Sequence, residues 1–426
     1  MQFQVKKSTL SGRVRIPGSK SHTIRGLIIG TLAHGTSALR QPLRSSDTES
    51  CIAACRAMGA EVNDQNDECW QVEGTAGCPR SDGKTVDVQN SGTSLFLAIT
   101  AAALGDSPLE LTGDDQLRKR SAGPLLRALR ELGARAEARG ENDCPPIVVQ
   151  GPIKGGKISI ECPTSQYISS LLIGCPLAEG QTEIDVPLLN EEPYVEMTCG
   201  WLQERGIEFE RSSDLRHFVV PGGQKYEGFE KAIPADFSSA TFFLVAAAVT
   251  GSELFLAGLD MDDTQGDKAV VGMLERMGCQ VAEEESGIRI KGPERLSGGE
   301  FDLNATPDAL PAMAVAGALA EGETRLANVP QARDKETDRI AVMASELQKL
   351  GAEVRELPDG LVLKESDLEG TVVDGWADHR VVMALAVAGL VAEGTTTITT
   401  AEAAGITFPR FAELMRCAGA TLFEIE

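Results

Sequence analysis

The sequence predicts an α/β protein of two domains, in which small-residue helices are buried and sheets lie outside them. Three observations carry this. A helix rich in Ala, Gly, Leu and Val recurs six times, each time followed by glycine, over residues 21–35, 94–105, 165–180, 238–251, 308–322 and 379–394. The closing glycines are 70, 75, 71, 71 and 72 residues apart. A second, more polar helix keeps the same period and runs through Gly59, Gly133, Gly206, Gly278, Gly351 and Gly419 into a strand. Two interleaved series with one period define an internal repeat, and the repeat decides architecture before any single motif does. Each glycine is expected to end its helix as a left-handed cap.

In chain order, Arg13-Val14-Arg15-Ile16 alternates like a strand, and Pro17-Gly18 turns the chain. The opening stretch 3–16 precedes the first buried helix and is expected to complete a sheet of the other domain. Ser19 or Ser21 is expected to cap the helix that follows. The buried series is apolar on nearly all sides, as in Phe242-Phe243-Leu244-Val245-Ala246-Ala247-Ala248, whereas residues 341–350 are amphipathic. Six repeats divide into two domains of three. The third repeat ends near Gly222-Gly223 and the fourth buried helix opens at Asp236. This places one domain at 19–233 and the other at 1–18 plus 234–426, each of about 200 residues, an ordinary size.

Composition narrows the function. A net charge of -23 opposes a nucleic-acid or membrane-surface partner, and makes any anionic substrate depend on local basic groups. Ten cysteines are scattered without a CxxC pair, so reduced thiols, no structural zinc and a cytoplasmic setting are expected. No apolar run reaches the length of a membrane span.

The polar chemistry gathers where the buried helices begin. In order the starts carry Lys20-Ser21, Asn90-Ser91-Gly92-Thr93-Ser94, Thr164-Ser165-Gln166, Asp236-Phe237-Ser238-Ser239, Pro307-Asp308 and Asp378-His379-Arg380. Unpaired N–H groups and the helix dipole favour anions there. Capping alone accounts for each Ser, Thr, Asn and Asp. It does not account for Lys20, His379 and Arg380, whose positive charge opposes the dipole. The dense stretch Gln331–Arg339 is either a solvated helix start with internal ion pairs or a site with Lys335 and Arg339 on one helical face and Glu336 as acid or base. Arg118-Lys119-Arg120 is open in the same way.

Together these residues resemble the 5-enolpyruvylshikimate-3-phosphate synthase family. The resemblance rests on Pro-Gly-Ser-Lys-Ser at 17–21, Asn-Ser-Gly-Thr at 90–93, Ser165-Gln166, Pro307-Asp308-Ala309, Arg-x-Lys-Glu-Thr-Asp-Arg at 333–339, Asp378-His379-Arg380 and Thr407-Phe408-Pro409. It implies a two-domain inside-out α/β barrel of six βαβαββ units, with buried helix N-termini facing a cleft. It also implies transfer of the carboxyvinyl group of phosphoenolpyruvate to the 5-hydroxyl of shikimate 3-phosphate, with release of phosphate. By position, Asp308 would be the base and Glu336 the acid for the methylene carbon. Lys20 would bridge both substrates, and His379 would lie near the leaving phosphate. Asn90, Gly92, Arg120, Gln166, Arg339 and Arg380 would join Lys20 on phosphoenolpyruvate. Lys20, Ser21, Arg25, Thr164, Ser165, Gln166, Tyr194, Asp308, Gln331 and Lys335 would hold the acceptor. The family needs no cofactor or metal, and a monomer is expected.

Four positions depart from the family pattern. Ile24 replaces an asparagine, Phe96 an arginine and Ile406 a lysine, while Glu191 stands where a serine helps to hold the acceptor's phosphate. A carboxylate there would repel a phosphate unless turned away or neutralised. Transfer to a different, possibly unphosphorylated acceptor is therefore the alternative. A UDP-N-acetylglucosamine enolpyruvyl transferase is disfavoured because residues 113–123 hold no cysteine. A non-catalytic binding protein is opposed by the intact Lys20, Asp308, Glu336 and Arg339.

Overall fold

The computed structural model describes residues 1–426 throughout. The chain divides into a first unit, Gly18–Ile233, and a second unit made of Met1–Pro17 and Pro234–Glu426. Each holds six helices. In the first unit these are α1 (Lys20–Leu32), α2 (Ser46–Ala57), α3 (Gly92–Ala102), α4 (Gly123–Glu131), α5 (Ser165–Gly174) and α6 (Glu192–Glu204). The second unit has α7 (Phe237–Val249), α8 (Ala269–Arg276), α9 (Leu310–Ala318), α10 (Arg339–Lys349), α11 (His379–Gly389) and α12 (Phe411–Cys417).

The odd-numbered helices are the buried series. Every residue of α3, α9 and α11 is buried, as the absence of a polar face in their sequences requires. Small residues let them approach the sheets. A Cβ on Gly389 of α11 would stand 2.8 Å from Cβ of Val5, and one on Gly26 of α1 2.7 Å from Cδ2 of Leu39. Such overpacking costs about 1–3 kcal/mol, so these glycines set the helix-to-sheet spacing. Each unit has its own apolar core, and Phe242 and Phe243 in the second are wholly buried.

Six four-stranded sheets accompany the six repeats. The sheet of Thr85–Asp87, Leu109–Thr112, Ile147–Gln150 and Arg135–Ala138 shows the pattern, one parallel pair followed by two antiparallel ones. Helix α3 makes the parallel crossover and α4 the return, which is the βαβαββ unit. The opening stretch is two strands rather than one. Gln2–Lys6 lies antiparallel between Thr395–Thr399 and Thr421–Ile425, completing the sixth sheet. Ser11–Arg15 pairs in parallel with Glu253–Ala257 in the fourth. The first sheet is completed by Glu230–Ala232, parallel to Thr36–Arg40.

The two glycine series behave differently. Gly59, Gly133, Gly206, Gly278, Gly351 and Gly419 all have φ between 71° and 109° and follow the C-caps of the even-numbered helices. These are the expected left-handed caps. In the other series Gly251 is also a left-handed cap, directly after the Thr250 C-cap of α7, while the rest lie further beyond the helix ends. Helix α1 stops at Leu32 with Ala33 as an extended C-cap, and Gly35 turns the chain into the next strand. Gly105 and Gly180 are not left-handed at all. Gly105 is needed for close approach, since a Cβ there would meet the Pro79 carbonyl at 2.1 Å.

Candidate active site

In the first unit the starts of five helices are tied together by side chains. Lys20 opens α1, and its Nζ donates to Oδ2 of Asp47 in the first turn of α2 at 3.0 Å, with both side chains mostly buried. Ser94 of α3 donates to the Asp47 carbonyl at 3.1 Å. Gln166 of α5 donates to Thr93 of α3 at 2.9 Å. Glu191, at the start of α6, accepts from the Ser165 N–H and from the hydroxyls of Ser165 and Thr164 at 3.1, 2.8 and 3.2 Å. The N-termini therefore gather at one end of the unit, which concentrates N–H groups and partial positive charge.

Asn90, Gly92, Arg120 and Gln166 are brought together at the α3 start. Asn90 donates to Asp114 at 2.7 Å and Gln116 at 2.6 Å, and its Oδ1 accepts a long 3.5 Å contact from Arg120. A Cβ on Gly92 would lie 2.8 Å from Nη1 of Arg120 and 3.7 Å from Oε1 of Gln166. Glycine is what leaves room for both. Arg25 is buried, and burial lowers its pKa to about 10. It donates to Thr198 at 2.9 Å, to the Tyr194 carbonyl at 3.0 Å and to the Ser21 carbonyl at 3.1 Å, with a weaker 3.4 Å contact to Ser169. These contacts use four of its five N–H groups. Its first task is to lock α1 to α5 and α6.

The second unit holds a denser ionic cluster. Arg339, the first residue of α10, is almost wholly buried and meets three carboxylates. Its Nη1 donates to Oδ1 of Asp308 at 2.8 Å, its Nε and Nη2 to Asp378 at 2.9 and 3.2 Å, and its Nη2 also to Glu336. Burial works against the charge, but Asp378, Glu336 and Asp308 outweigh it and raise the guanidinium's pKa. Arg380 donates to Oδ2 of Asp308 at 2.8 Å, so each oxygen of Asp308 faces an arginine. Asp267 lies in the same network, accepting from Ser238 of α7 and from Thr306 just before Asp308. Burial and then the charge of Asp308 push its pKa up, against Arg380 and the two hydroxyls. His379 is buried with neither ring nitrogen hydrogen-bonded inside the protein, and desolvation lowers its pKa to about 3. It is a neutral imidazole at ordinary pH. Gln331 donates to the Asn304 carbonyl at 3.0 Å and leaves its own Oε1 unpaired.

Several details differ from the sequence expectations. Lys335 and Arg339 do not share a helical face. Residues Pro330–Asp334 form a 3-10 turn, Lys335 is extended, and α10 begins only at Arg339 because Asp338 caps it through the Ala341 N–H. Ser19 precedes α1 without a side-chain cap bond, its carbonyl accepting instead from the Thr23 hydroxyl. Capping does hold at Ser91, Thr164, Asp236 and Asp378. The departures Ile24 and Phe96 are buried core residues, Phe96 meeting Tyr167 edge-on at 5.1 Å, and Ile406 packs against the second core. Asp47, Asp114, Gln116 and Asp267 were not legible as site residues. Each is an ordinary acidic or amide residue in sequence, and only its through-space partner marks it.

Two groups could offer a metal three ligands within 4.8 Å, Glu183–Asp185–His217 and Glu336–Asp378–His379. Each already holds a cation of the chain. Lys157 binds Glu183 at 2.8 Å, and Arg339 binds Glu336 and Asp378.

A family model described as EPSP synthase (3-phosphoshikimate 1-carboxyvinyltransferase) matches residues 5–415. The 3-phosphoshikimate 1-carboxyvinyltransferase of Acetivibrio thermocellus is 52% identical over 426 residues, covering 100% of both chains. That of Ruminiclostridium cellulolyticum is 51% identical over 419 residues, 98% of this chain and 99% of the relative. Among solved structures, EPSP synthase from Acinetobacter baumannii superposes with a TM-score of 0.84 at 27% identity, over 100% of both chains.

Proposed function

Because the chain belongs to the EPSP synthase family, the 3-phosphoshikimate 1-carboxyvinyltransferases, we propose that its two polar clusters carry out that family's reaction. The protein is a transferase that moves the carboxyvinyl group of phosphoenolpyruvate to shikimate 3-phosphate in the shikimate pathway. The observation that best supports the residue roles is the clamp of Arg339 and Arg380 on Asp308.

Phosphoenolpyruvate brings a phosphate and a carboxylate, and guanidinium groups bind both bidentately. Arg339 and Arg380 are its ligands in the second unit, and Lys20, Asn90, Gly92, Arg120 and Gln166 in the first. Arg380 donates to Oδ2 of Asp308 at 2.8 Å, and on this reading it is the arginine that turns to the incoming anion. That frees an oxygen of Asp308 to take the proton of the acceptor's 5-hydroxyl. The alkoxide oxygen bonds to the substituted vinyl carbon, and Glu336 protonates the methylene carbon. The product keeps its vinyl group, so this proton must leave again as the C–O bond to phosphate breaks. Glu336, as its conjugate base, takes it back. His379, held neutral, can donate an N–H to the departing phosphate without adding a charge. The acceptor's ring and phosphate fall to Ser21, Arg25, Thr164, Ser165, Tyr194, Gln331 and Lys335. General acid–base catalysis of this kind supplies about 10²–10⁴-fold per group.

Monomeric action in the cytoplasm completes the reading. All ten cysteines are free thiols, and no helix is long and apolar enough to cross a membrane. The test is substitution. Asp308→Ala and Glu336→Ala are each expected to lower kcat at least about 100-fold while the folded circular dichroism spectrum is kept. A near-normal rate in either would overturn its role.

A further inference from the structure

Glu346 belongs to none of the motifs above, yet its carboxylate is completely buried in the middle of α10. It lies two turns after Arg339, hence on the same face of that helix. Four hydrogen bonds converge on it. Lys349 donates to both oxygens at 2.8 Å, which balances the charge. The remaining two come from a single turn, from the Asp374 N–H and from the indole Nε1 of Trp376, each at 2.9 Å.

That turn is unusual. Trp376 and Ala377 are consecutive non-glycine residues in the left-handed region, with φ of 54° and 52°. Such conformations persist only where the surroundings over-determine them. Here Asp374 accepts from the Trp376 N–H and the Thr399 hydroxyl at 2.9 Å, and Thr400 accepts from the Ala377 N–H at 3.0 Å. Gly375 is forced, since a Cβ there would lie 2.2 Å from Val382 of α11. Trp376 is 47% exposed, so burial is a weak reason for a tryptophan in a strained turn. Its bond to Glu346 is a better one.

The turn ends at Asp378. This carboxylate caps α11 through the Arg380 N–H at 2.9 Å, accepts from the Thr337 hydroxyl at 3.0 Å and holds Arg339 through two bonds. Any slackening of residues 374–377 moves Asp378, and with it both Arg339 and the start of α11 that carries His379 and Arg380. We propose that Glu346 and Trp376 form a latch that positions Arg339 and Arg380 for phosphoenolpyruvate. Glu346 is thus a positioning residue, acting through the turn and never touching substrate. This rests on the assignment of those two arginines to phosphoenolpyruvate.

The experiment compares wild type with Glu346→Ala and Trp376→Phe. It measures KM for phosphoenolpyruvate at saturating acceptor, the Kd of shikimate 3-phosphate alone, and amide exchange at Arg380 and Val381. Glu346→Ala is expected to raise KM at least tenfold, leave the acceptor Kd within twofold, and speed exchange at both amides at least tenfold. Trp376→Phe removes one bond and cannot unfold α10, so it covers the case in which Glu346→Ala does not fold; it is expected to raise KM about threefold. A KM less than threefold raised in Glu346→Ala, or unchanged in Trp376→Phe, overturns the latch. So does an acceptor Kd that worsens in step with KM, since general loss of structure would do that. If wild type does not turn over phosphoenolpyruvate, the arginine assignment fails by itself. Exchange at Arg380 and Val381 then decides the latch, and unchanged exchange refutes it.

Discussion

Arg339 shows how one residue organises a site. It is buried among Asp308, Glu336 and Asp378, and removing one member of a buried ionic network costs about 3–5 kcal/mol because the others lose their partner. Arg339→Ala is therefore expected to destabilise the fold by about that much, read as a lower urea midpoint, as well as to weaken phosphoenolpyruvate binding. His379 gives a pH signature. Its folded pKa of about 3 lies below the ordinary 6.5, so the unfolded chain binds the proton more readily. Its contribution is present above pH 6.5 and is lost as pH falls towards 3, with a slope of at most about 1.4 kcal/mol per pH unit. His379→Asn should flatten the acid limb of stability against pH; an unchanged limb would show that His379 is not the group responsible. Glu191 stands where the family pattern has a serine for the acceptor's phosphate. It takes the hydroxyls of Thr164 and Ser165, two groups assigned to the acceptor. Glu191→Ser should lower KM for shikimate 3-phosphate about tenfold, or about 1.4 kcal/mol, and leave KM for phosphoenolpyruvate unchanged.

At the scale of elements, the helix starts carry the account. Gly92 opens α3 where a Cβ would crowd Arg120 at 2.8 Å, and the atom it meets is the far end of a flexible side chain. Gly92→Ala should thus leave thermal stability nearly unchanged while raising KM for phosphoenolpyruvate at least about tenfold, because Arg120 must move. Much of this was legible. Buried helices announce themselves by lacking a polar face, and the glycine after each amphipathic helix has only one conformational use. What stayed hidden depends on distance in space. Nothing in Ser46-Asp47-Thr48 marks Asp47 as the partner of Lys20, and nothing in the amphipathic pattern of α10 marks Glu346. That Lys335 and Arg339 do not share a helical face was not legible, because the charges at 335–338 fit a helix start as well as the extended entry that Asp338 imposes. In the other glycine series only Gly251 caps its helix, because a turn into a strand needs glycine as much as a helix end does.

For the whole molecule, the repeat explains why six similar units give two unlike clusters. Each unit offers a helix N-terminus, which is a generic anion-favouring end, and the residues placed there decide the chemistry. The first unit supplies mostly amides and hydroxyls with Lys20 and Arg120, and the second supplies paired arginines and carboxylates. Against a net charge of -23, an anionic substrate depends on local cations such as these. The most direct measurement follows phosphoenolpyruvate and shikimate 3-phosphate with the protein by phosphorus and proton magnetic resonance. One inorganic phosphate is expected for each carboxyvinyl ether formed, with no phosphate released when the acceptor is left out. Folded protein at high concentration that releases no phosphate, or that releases it without the acceptor, would contradict it.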